Sequence, residues 1–395
     1  MEEKLICPLC LNSNLLEAYR RENTFFSINL TPLERSYNLI IYYCNKCGFV
    51  FQGYSYFNKE NYLKIIKKVY TQSYNLSSSG DLEFSYNFIK EEINKAERIL
   101  EIGSLKGDFI KFLDSFVKEK NFYLIDPSLE EFNLKNNKVY FIREFFKNNL
   151  FEREFFDLII IRNLLEHIVD FRSFLEELKS ILKEDGKIFI EVPSLIVDLK
   201  NRVESFIPEH VNYFYGDFLK KELQKLGFNV LRLDEKKDLL VLVSKKLDIE
   251  KEKLEGKVLD SKTENLYNLI LKYNKDLISI KDKIKKEIKN SVFVYYGAGN
   301  QFLWSESFLS IKDFILIDDR KKGTILGVPI ISFEEFENSV FEEDKTYIFF
   351  INTIFLNVFE RIKNKIIDFF KDKNNSFSII RPWKVEYERG FTKNL

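Results

Sequence analysis

Apolar runs alternate with amphipathic stretches through the middle of this 395-residue chain. Residues 171–186, "FRSFLEELKSILKEDG", have leucines at helical spacing and are predicted to form a helix that ends at Gly186. Strands that alternate with helices form parallel sheets, so the sequence predicts a doubly wound α/β domain. The runs predicted to be its strands are 98–102, 122–128, 154–167 and 187–194.

Further elements are predicted on both sides of this domain. Residues 55–96 predict two helical stretches separated by the polar break "YNLSSSG", and "NVLRLDEKKDLLVLVSKK" predicts a hairpin at the end of the sheet. Residues 246–291 are highly charged, have apolar residues at helical spacing, and predict a helical connector. A strand–glycine turn–helix pattern restarts at "SVFVYYGAGNQF", which predicts a second, smaller Rossmann-like domain.

Four cysteines, all within the first 47 residues, form two C-x-x-C pairs: Cys7 with Cys10, and Cys44 with Cys47. Two such pairs can place four thiolates tetrahedrally around one zinc ion, and they leave no open ligand position. The predicted zinc is therefore structural. Two disulfides are the alternative, which a cytosolic setting disfavours. The predicted domains are a zinc-binding module at 1–60, the α/β domain with its N-terminal helices at 61–245, the connector at 246–291 and the C-terminal domain at 292–395.

Charge and hydropathy argue against several classes of partner. Lysine plus arginine and aspartate plus glutamate both number 61, so the net charge is zero and a nucleic-acid partner is not expected. The first residues lack an apolar signal segment, and the most apolar stretch, residues 346–359, is too short to span a bilayer. We therefore expect a cytoplasmic protein with no membrane partner, either a monomer or a small homo-oligomer.

The first glycine turn, "EIGSLKG" at residues 101–107, joins a strand to a helix. Its spacing is not G-x-G-x-x-G, so dinucleotide binding there is weakly supported. Glu101 precedes the first glycine, and Asp126 ends the next strand. Carboxylates at these two places suit S-adenosylmethionine, which has a cationic amino-acid end and a ribose with two hydroxyls. Gly103 and Gly107 would let the backbone approach this ligand closely.

These segments resemble class I methyltransferases, because "LEIGSLKGDF", "LIDPS", "FDLIIIRNLLEHIVD" and "LKEDGKIFIEVPS" occur in that family's order and spacing. The resemblance places Asn163 near the methionine moiety of S-adenosylmethionine and Phe145 near its adenine. It implies a packing role for His167 under the cofactor loop. The implied cofactor-binding residues are Glu101, Gly103, Ser104, Gly107, Asp126, Pro127, Phe145 and Asn163.

The order of all the parts, over the whole chain, resembles the sugar C-methyltransferase family. Members methylate a carbon of a nucleotide-linked keto-deoxysugar, and they share the four-cysteine module, the class I core, the connector and a C-terminal "YGAG" turn. The break "YNLSSSG" and the segment "EHVNYF" at 209–214 also match. This chain departs from the pattern in having no histidine just before "EH", and no lysine and glycine after the C-terminal turn. The implied catalytic residues are His210, Glu209, Tyr213 and Tyr74.

The chemistry of that reaction explains the residue types. A carbon beside a ketone becomes nucleophilic only after losing a proton, and a histidine is well suited to remove it near neutral pH. His210, one of only two histidines in the chain, is the candidate base. Tyr213 would donate a hydrogen bond to the enolate oxygen, and Glu209 would orient His210 or contact a sugar hydroxyl. Tyr74 would reach the sugar from the opposite side. The structural alternative is that His210 is only a packed loop histidine.

Three other functions compete with this reading. An O-methyltransferase of a sugar or glycan hydroxyl would use the same fold and a similar base. A zinc-containing RNA methyltransferase is disfavoured by the zero net charge. A non-catalytic protein whose C-terminal domain binds a nucleotide sugar or NAD is the third, although "GAGN" lacks the last glycine of the NAD fingerprint.

Overall fold

The computed structural model describes residues 6–25, 36–72, 82–201, 205–245, 266–353, 356–373, 375–381 and 386–391. The chain forms two compact units. The first comprises Met1–Glu17, Ile41–Val197 and Glu209–Leu266, and the second comprises Ala18–Ile40, Asp198–Pro208 and Tyr267–Leu395.

Helices and strands are numbered in chain order. The strands are β1 Leu15–Phe25, β2 Ser36–Cys44, β3 Val50–Gln52, β4 Arg98–Ile102, β5 Asn121–Ile125, β6 Lys138–Ile142, β7 Phe156–Arg162, β8 Leu182–Val192, β9 Asn212–Tyr213, β10 Asn229–Asp234, β11 Leu239–Ser244, β12 Ser291–Tyr296, β13 Ile315–Ile317, β14 Gly323–Ile325, β15 Val328–Ile331, β16 Thr346–Ile351, β17 Ser376–Arg381 and β18 Glu386–Phe391. The helices are α1 Gly53–Phe57, α2 Lys59–Gln72, α3 Leu82–Lys95, α4 Asp108–Leu113, α5 Phe171–Ile181, α6 Leu195–Asn201, α7 Gly216–Lys225, α8 Leu266–Ile288, α9 Asn300–Leu309, α10 Phe333–Glu335 and α11 Leu356–Phe370. Short 3₁₀ turns cover Asn148–Leu150 and Leu165–His167, and a π-helical turn covers Phe336–Val340.

The first unit contains a seven-stranded sheet in the order β10-β11-β8-β7-β4-β5-β6. Strands β4 to β8 run parallel, and β11 and β10 complete the sheet as the predicted antiparallel hairpin. The strand order reverses between β4 and β7, and such a switch point opens a ligand crevice at the carboxyl ends of the strands. The predicted doubly wound α/β fold is confirmed.

Helix α5 ends earlier than its sequence pattern predicts. It begins at Phe171, where the Asp170 carboxylate accepts a hydrogen bond from the Ser173 N–H (3.2 Å). It stops at Ile181 because Leu182 is fully buried, adopts extended backbone angles and pairs with Phe156 of β7. The prediction that the helix continues to Gly186 was wrong. Burial of Leu182 in the sheet outweighs one more turn made of charged residues.

A second, smaller sheet in the first unit joins segments that are distant in sequence. The carboxyl-terminal half of β2 pairs with β3, with Tyr42 opposite Phe51. Strand β3 pairs in turn with β9, with Val50 opposite Tyr213. The segment around residues 212–213 is therefore hydrogen-bonded to the N-terminal strands.

The second unit has its own seven-stranded sheet, in the order β14-β15-β13-β12-β16-β17-β18. Strands β15, β13, β12, β16 and β17 run parallel, and β14 and β18 are antiparallel edge strands. Its core is aromatic and includes the buried Phe336, Phe349 and Phe370. This sheet confirms the predicted second α/β domain that begins with a strand, a glycine turn and a helix.

The remaining elements follow the sequence patterns where the structure describes them. Helices α2 and α3 stand on either side of the break at 73–81, which lies outside the described residues. Helix α8 is one continuous helix within the predicted connector. The domain boundaries near residues 60, 245 and 291 stay predictions. Among the described residues, no helix combines the length and apolar composition needed to cross a membrane.

Candidate functional site

The four cysteine side chains lie together in the first unit, with their Sγ atoms all within 4.8 Å of one another. The Sγ atoms are 3.6 Å apart for Cys7 and Cys47, and 3.5 Å apart for Cys10 and Cys44. All four are free thiols. Zinc bonded to four sulfurs at about 2.3 Å would set neighbouring sulfurs about 3.8 Å apart. The donor set and its spacing therefore fit one zinc ion.

Both C-x-x-C turns are attached to the α/β domain by hydrogen bonds. Arg172, on α5, donates from Nη1 to the carbonyl oxygen of Leu9 (3.0 Å), inside the first pair. The Tyr215 hydroxyl, just before α7, donates to the carbonyl oxygen of Gly48 (3.0 Å), beside the second pair. The cysteine cluster is thus linked to residues on both sides of the "EHVNYF" segment in the chain.

The glycine turn after β4 has left-handed backbone at Gly103 (φ +76°) and Gly107 (φ +67°). The Gly103 N–H donates to the carbonyl oxygen of Ile125 (2.9 Å), and a Cβ there would lie 3.1 Å from a methyl carbon of Leu164. At Gly107 a Cβ would lie 2.5 Å from the ring of Phe132. The structure gives Gly107 a packing reason, in addition to its predicted contact with a ligand.

Glu101 is a buried carboxyl that forms no direct ion pair with any residue that the structure describes. It is 4% exposed at the end of β4, and its Oε2 has no hydrogen-bond partner among the residues that the structure describes. The nearby Arg162 is bound by Glu191 through two contacts, Nε to Oε2 (2.6 Å) and Nη2 to Oε1 (3.2 Å). The Ser85 hydroxyl also donates to Glu191 (2.7 Å). The charge of Arg162 is therefore already matched, which leaves Glu101 suited to a cationic ligand.

Burial raises the pKa of the Glu101 carboxyl from 4.5 to about 8, and the charge of Arg162 offsets only part of that rise. The folded, ligand-free protein thus keeps a proton at Glu101 that the unfolded chain releases above pH 4.5. Stability from this difference is fully present below pH 4.5. It falls by about 1.4 kcal/mol per pH unit as the pH rises towards the folded-state pKa.

Glu101→Gln is expected to remove this pH dependence. The midpoint of thermal unfolding of the variant, relative to wild type, should rise steadily between pH 5 and pH 8 when both are measured without cofactor. Scanning calorimetry across that range measures the difference. Glu97→Gln, at an exposed glutamate just before β4, is the matched control and should follow wild type. A constant difference between Glu101→Gln and wild type at all pH values would contradict the expectation.

Asp126 lies beside the glycine turn, as predicted. Its Oδ2 accepts a hydrogen bond from the Leu105 N–H (3.2 Å), and its Oδ1 accepts from the backbone N–H (2.8 Å) and hydroxyl (2.6 Å) of Ser128. A carboxylate has about four acceptor sites, so capacity remains for a ribose hydroxyl. Ser104 is also buried here, and within the described part of the chain its hydroxyl has no partner.

The other predicted cofactor contacts lie along the same sheet edge. Asn163 directly follows β7 with φ of +48°, and its N–H donates to the carbonyl oxygen of Glu191 (2.8 Å). Pro127 follows β5 and is half-buried. Phe145, shortly after β6, is 43% exposed. Because β5, β6 and β7 are parallel to β4, all three residues follow the carboxyl ends of strands beside Glu101.

The structure brings the two histidines of the chain into contact. The rings of His167 and His210 are 4.9 Å apart between centroids and nearly perpendicular, at 76°. His167 donates from Nδ1 to the carbonyl oxygen of Glu209 (2.8 Å). Burial lowers the pKa of His167 to about 4, so its ring is neutral near pH 7. His210 is 9% exposed, and the Tyr213 ring lies 6.2 Å from its centroid.

Two residues of the N-terminal part of the first unit bind the backbone of residues 209–211, which include His210. The Tyr62 hydroxyl, on α2, donates to the carbonyl oxygen of Glu209 (3.1 Å). Gln52, at the end of β3, donates from Nε2 to the carbonyl oxygen of His210 (3.2 Å). Its backbone N–H donates to the carbonyl oxygen of Val211 (2.9 Å).

The loop after β7 holds the same backbone through other groups. The Val211 N–H donates to the carbonyl oxygen of Glu166 (2.8 Å). Asn212 donates from Nδ2 to the carbonyl oxygens of Leu165 (3.0 Å) and Ile168 (2.7 Å). Residues 209–212 are therefore fixed by "NLLEH" and by the N-terminal elements together, at the carboxyl end of β7.

The sequence pointed to some of these residues and missed others. It singled out Glu209, His210 and Tyr213, which form one segment; Tyr74 lies outside the described residues. Arg162 and Glu191 were missed, although a charge inside each of two apolar strands was a usable signal of a buried pair. Tyr62 and Gln52 were also missed, because no local pattern marks a residue whose partner is over a hundred positions away.

The C-terminal glycine turn is closed by side chains of its own unit. The Asp318 carboxylate accepts from the Ala298 N–H (2.8 Å), and Lys321 donates to the Ala298 carbonyl oxygen (2.7 Å). Asn352 donates from Nδ2 to the carbonyl oxygen of Gly297 (3.2 Å). The Asp318 carboxylate thus supports this turn in the same way as Asp126 supports the first one, so the missing last glycine stays the argument against NAD there.

Comparison with known proteins matches residues 81–233 to a family model described as a methyltransferase domain. A search of curated proteins finds no match. Similar solved structures include the 1,6-didemethyltoxoflavin-N1-methyltransferase of Burkholderia thailandensis with bound 1,6-didemethyltoxoflavin and S-adenosylhomocysteine (12% identity, 52% of this chain and 99% of that chain, TM-score 0.39). A SAM-dependent methyltransferase from Aquifex aeolicus is similar as well (22% identity, 46% and 96%, TM-score 0.33).

Proposed function

We propose, on the premise that residues 81–233 are a class I methyltransferase domain, that this chain is an S-adenosylmethionine-dependent C-methyltransferase acting on a nucleotide-linked keto-deoxysugar. The observation that supports the carbon chemistry most directly is the placement of His210. Its segment is fixed at the carboxyl end of β7, beside the turn that follows Asn163. A ligand crevice is expected at that edge of a parallel sheet, so a base there would face the reacting atoms.

The cofactor proposal rests on the buried polar groups around the glycine turn. S-adenosylmethionine, when bound, supplies an electrophilic methyl group. Glu101 would face its cationic amino-acid end, directly or through water, and Ser104 would offer a hydroxyl that is otherwise unpartnered within the described residues. Asp126 would accept from the ribose hydroxyls, Asn163 would lie near the methionine moiety, and Pro127 and Phe145 would flank the adenine side.

Gly103→Val is expected to weaken S-adenosylmethionine binding at least about tenfold, because a branched side chain fills the turn where the backbone meets the ligand. The left-handed backbone also costs about 1–2 kcal/mol of stability for a residue with a Cβ. Gly227→Val is the matched control: it has φ of +75°, and a Cβ there would meet only Lys179 Nζ at 3.7 Å. Isothermal titration calorimetry should show lost affinity in Gly103→Val alone; equal affinities in both variants would reject the assignment.

Catalysis would begin with proton removal from the carbon beside the sugar ketone. A ring nitrogen of His210 takes that proton, and the electron pair of the C–H bond becomes the enolate. The Tyr213 hydroxyl donates to the enolate oxygen, with Tyr74 proposed on the opposite side of the sugar and Glu209 oriented towards His210 or a sugar hydroxyl. The enolate carbon would then be the nucleophile for the methyl group that a bound S-adenosylmethionine would supply, and His210 would return its proton to solvent.

The four cysteines are proposed to bind one structural zinc ion, since their sulfurs have the spacing of a tetrahedral site. This ion would stabilise the N-terminal turns and take no part in methyl transfer. We further propose a cytoplasmic enzyme, monomeric or a small homo-oligomer, whose partner is the sugar substrate and not a nucleic acid or a membrane.

The test of function is product analysis. The purified protein, with S-adenosylmethionine and a panel of nucleotide-linked 4-keto-6-deoxysugars, should give a mass increase of one methylene on at least one sugar. In the proton NMR spectrum of the product, the new methyl signal should be that of a methyl group bonded to carbon. A methyl ether on a sugar or glycan hydroxyl would instead establish the O-methyltransferase alternative, which the same fold and base could serve.

A further inference from the structure

His167 contacts both the backbone beside His210 and the His210 ring. The acceptor of its Nδ1 is the carbonyl oxygen of Glu209, at 2.8 Å. A carbonyl oxygen can only accept, so Nδ1 must hold the proton. In a neutral ring, Nε2 then has the lone pair. The hydrogen bond therefore fixes both the tautomer and the orientation of the His167 ring.

The accepting carbonyl belongs to the peptide bond that joins Glu209 to His210. Orientation of that peptide sets the direction in which the His210 side chain leaves the backbone. The rings of His167 and His210 also pack edge to face, with 4.9 Å between their centroids. One side chain thus restrains both the backbone and the ring of the candidate base.

We propose that His167 is a positioning residue for His210: its ring, through the Nδ1 hydrogen bond and the ring contact, holds the Glu209–His210 peptide and the His210 imidazole in the orientation that removes the substrate proton. This rests on the proposed function, and it deepens the account of that site. His167 itself does not exchange a proton with substrate. A neutral neighbour also adds no positive charge where His210 must become positive during the reaction.

Two substitutions separate the hydrogen bond from the ring. The amide of Asn reaches the position of the histidine Nδ1, so His167→Asn keeps a donor to Glu209. The amide of Gln reaches the position of Nε2, so His167→Gln does not. We measure exchange of the substrate α-proton with solvent deuterium without cofactor. In His167→Asn we expect its rate to be no more than about threefold below that of wild type. In His167→Gln it should fall by about 10-fold to 100-fold, of the order expected when a base is misplaced.

A purely structural role would lower the thermal midpoint in both variants and leave the exchange rate per folded molecule equal. A double-mutant cycle gives a second criterion: in the His210→Asn background, His167→Gln should have no further effect on exchange. If His167→Asn abolishes exchange as completely as His210→Asn, His167 is itself a base and the proposal is wrong.

A measurement independent of activity separates this proposal from the proposed function. The chain has only two histidines, so ¹⁵N-histidine labelling gives two ring systems, assigned by the single variants. Long-range ¹H–¹⁵N NMR at pH 7 should show His167 neutral with its proton on Nδ1. An Nε2-protonated or charged ring would overturn the positioning proposal. If His167 has the expected tautomer but no sugar exchanges its α-proton, the proposed function is wrong and the positioning proposal loses its reaction.

A divalent cation bound by the two histidines is the one alternative to this positioning role. Glu166, His167 and His210 each offer a ligand atom, all within 4.8 Å, and His167 Nε2 lies 3.8 Å from the Glu166 carboxylate. A divalent cation there would occupy the His210 lone pair. Metal analysis of the active protein should find only the zinc of the cysteine site. A second metal per chain, lost together with activity on chelation and restored with it, would overturn the positioning role.

Discussion

His210→Asn is expected to lower turnover by about 10²–10⁴, the usual contribution of general acid–base catalysis. Asparagine keeps the polarity and approximate size of the side chain but cannot take a proton near neutral pH. The backbone of residue 210 stays bonded through Gln52. Affinity for S-adenosylmethionine should therefore stay nearly unchanged.

Deuterium exchange at the substrate α-carbon, in the absence of cofactor, is the sharper measurement because it isolates deprotonation from methyl transfer. Wild type should exchange and His210→Asn should not. His167→Asn serves as a matched control, since it makes the same side-chain change at the neighbouring histidine. Equal exchange in wild type and His210→Asn would show that another group takes the proton, and His210 would then be a packed structural residue.

Loss of the proposed zinc ion should have the largest effect on folding. Structural zinc contributes about 10–16 kcal/mol of apparent binding free energy in small zinc domains. Cys44→Ser removes one of four ligands at a buried position of the N-terminal turns. We expect amides of β2 and β3 to lose protection from hydrogen exchange, while the sheet around the glycine turn keeps its protection. Affinity for S-adenosylmethionine should change only a few-fold.

Hydrogen exchange with mass spectrometry, together with metal analysis, measures both parts of this prediction. Asn45→Ser, at the exposed neighbouring position, is the matched control and should retain one zinc per chain. Substrate α-proton exchange should also weaken in Cys44→Ser, because β3 and Gln52 support the His210 segment. Purified wild-type protein without zinc, or with the cysteines paired as disulfides, would contradict the zinc site.

The sequence predicts those features of the fold that depend on local burial. Strand β7 is predicted as a buried parallel strand because residues 158–161 form a continuous apolar run, and Ile159, Ile160 and Ile161 are indeed fully buried. The end of α5 was missed because it depends on a tertiary contact. Nothing in the composition of residues 182–186 reveals that Leu182 pairs with β7.

In the candidate site, too, the features set by local sequence could be predicted and those set by tertiary contacts could not. Residues next to strand ends, such as Glu101 and Asp126, could be predicted because parallel strands share one carboxyl edge. The contact of His167 with His210 could not, since it depends on how the loop after β7 meets a segment over forty positions later. Scarcity of histidine marked both residues as worth attention, but it did not indicate that they touch.

Pairing of β3 with β9 has a consequence for synthesis of the protein. Gln52 and His210 are 158 residues apart, and the edge of β3 stays open until the second of them leaves the ribosome. An open edge with the fully buried Phe49, Val50 and Phe51 beside it is a surface on which another nascent chain can pair. The cysteine-containing turns can close early, but the sheet of β2, β3 and β9 is completed only after the whole parallel core has emerged. The segment proposed to hold the base is thus also the one that covers this edge, so a chain that completes the sheet of β2, β3 and β9 has the candidate base His210 in place.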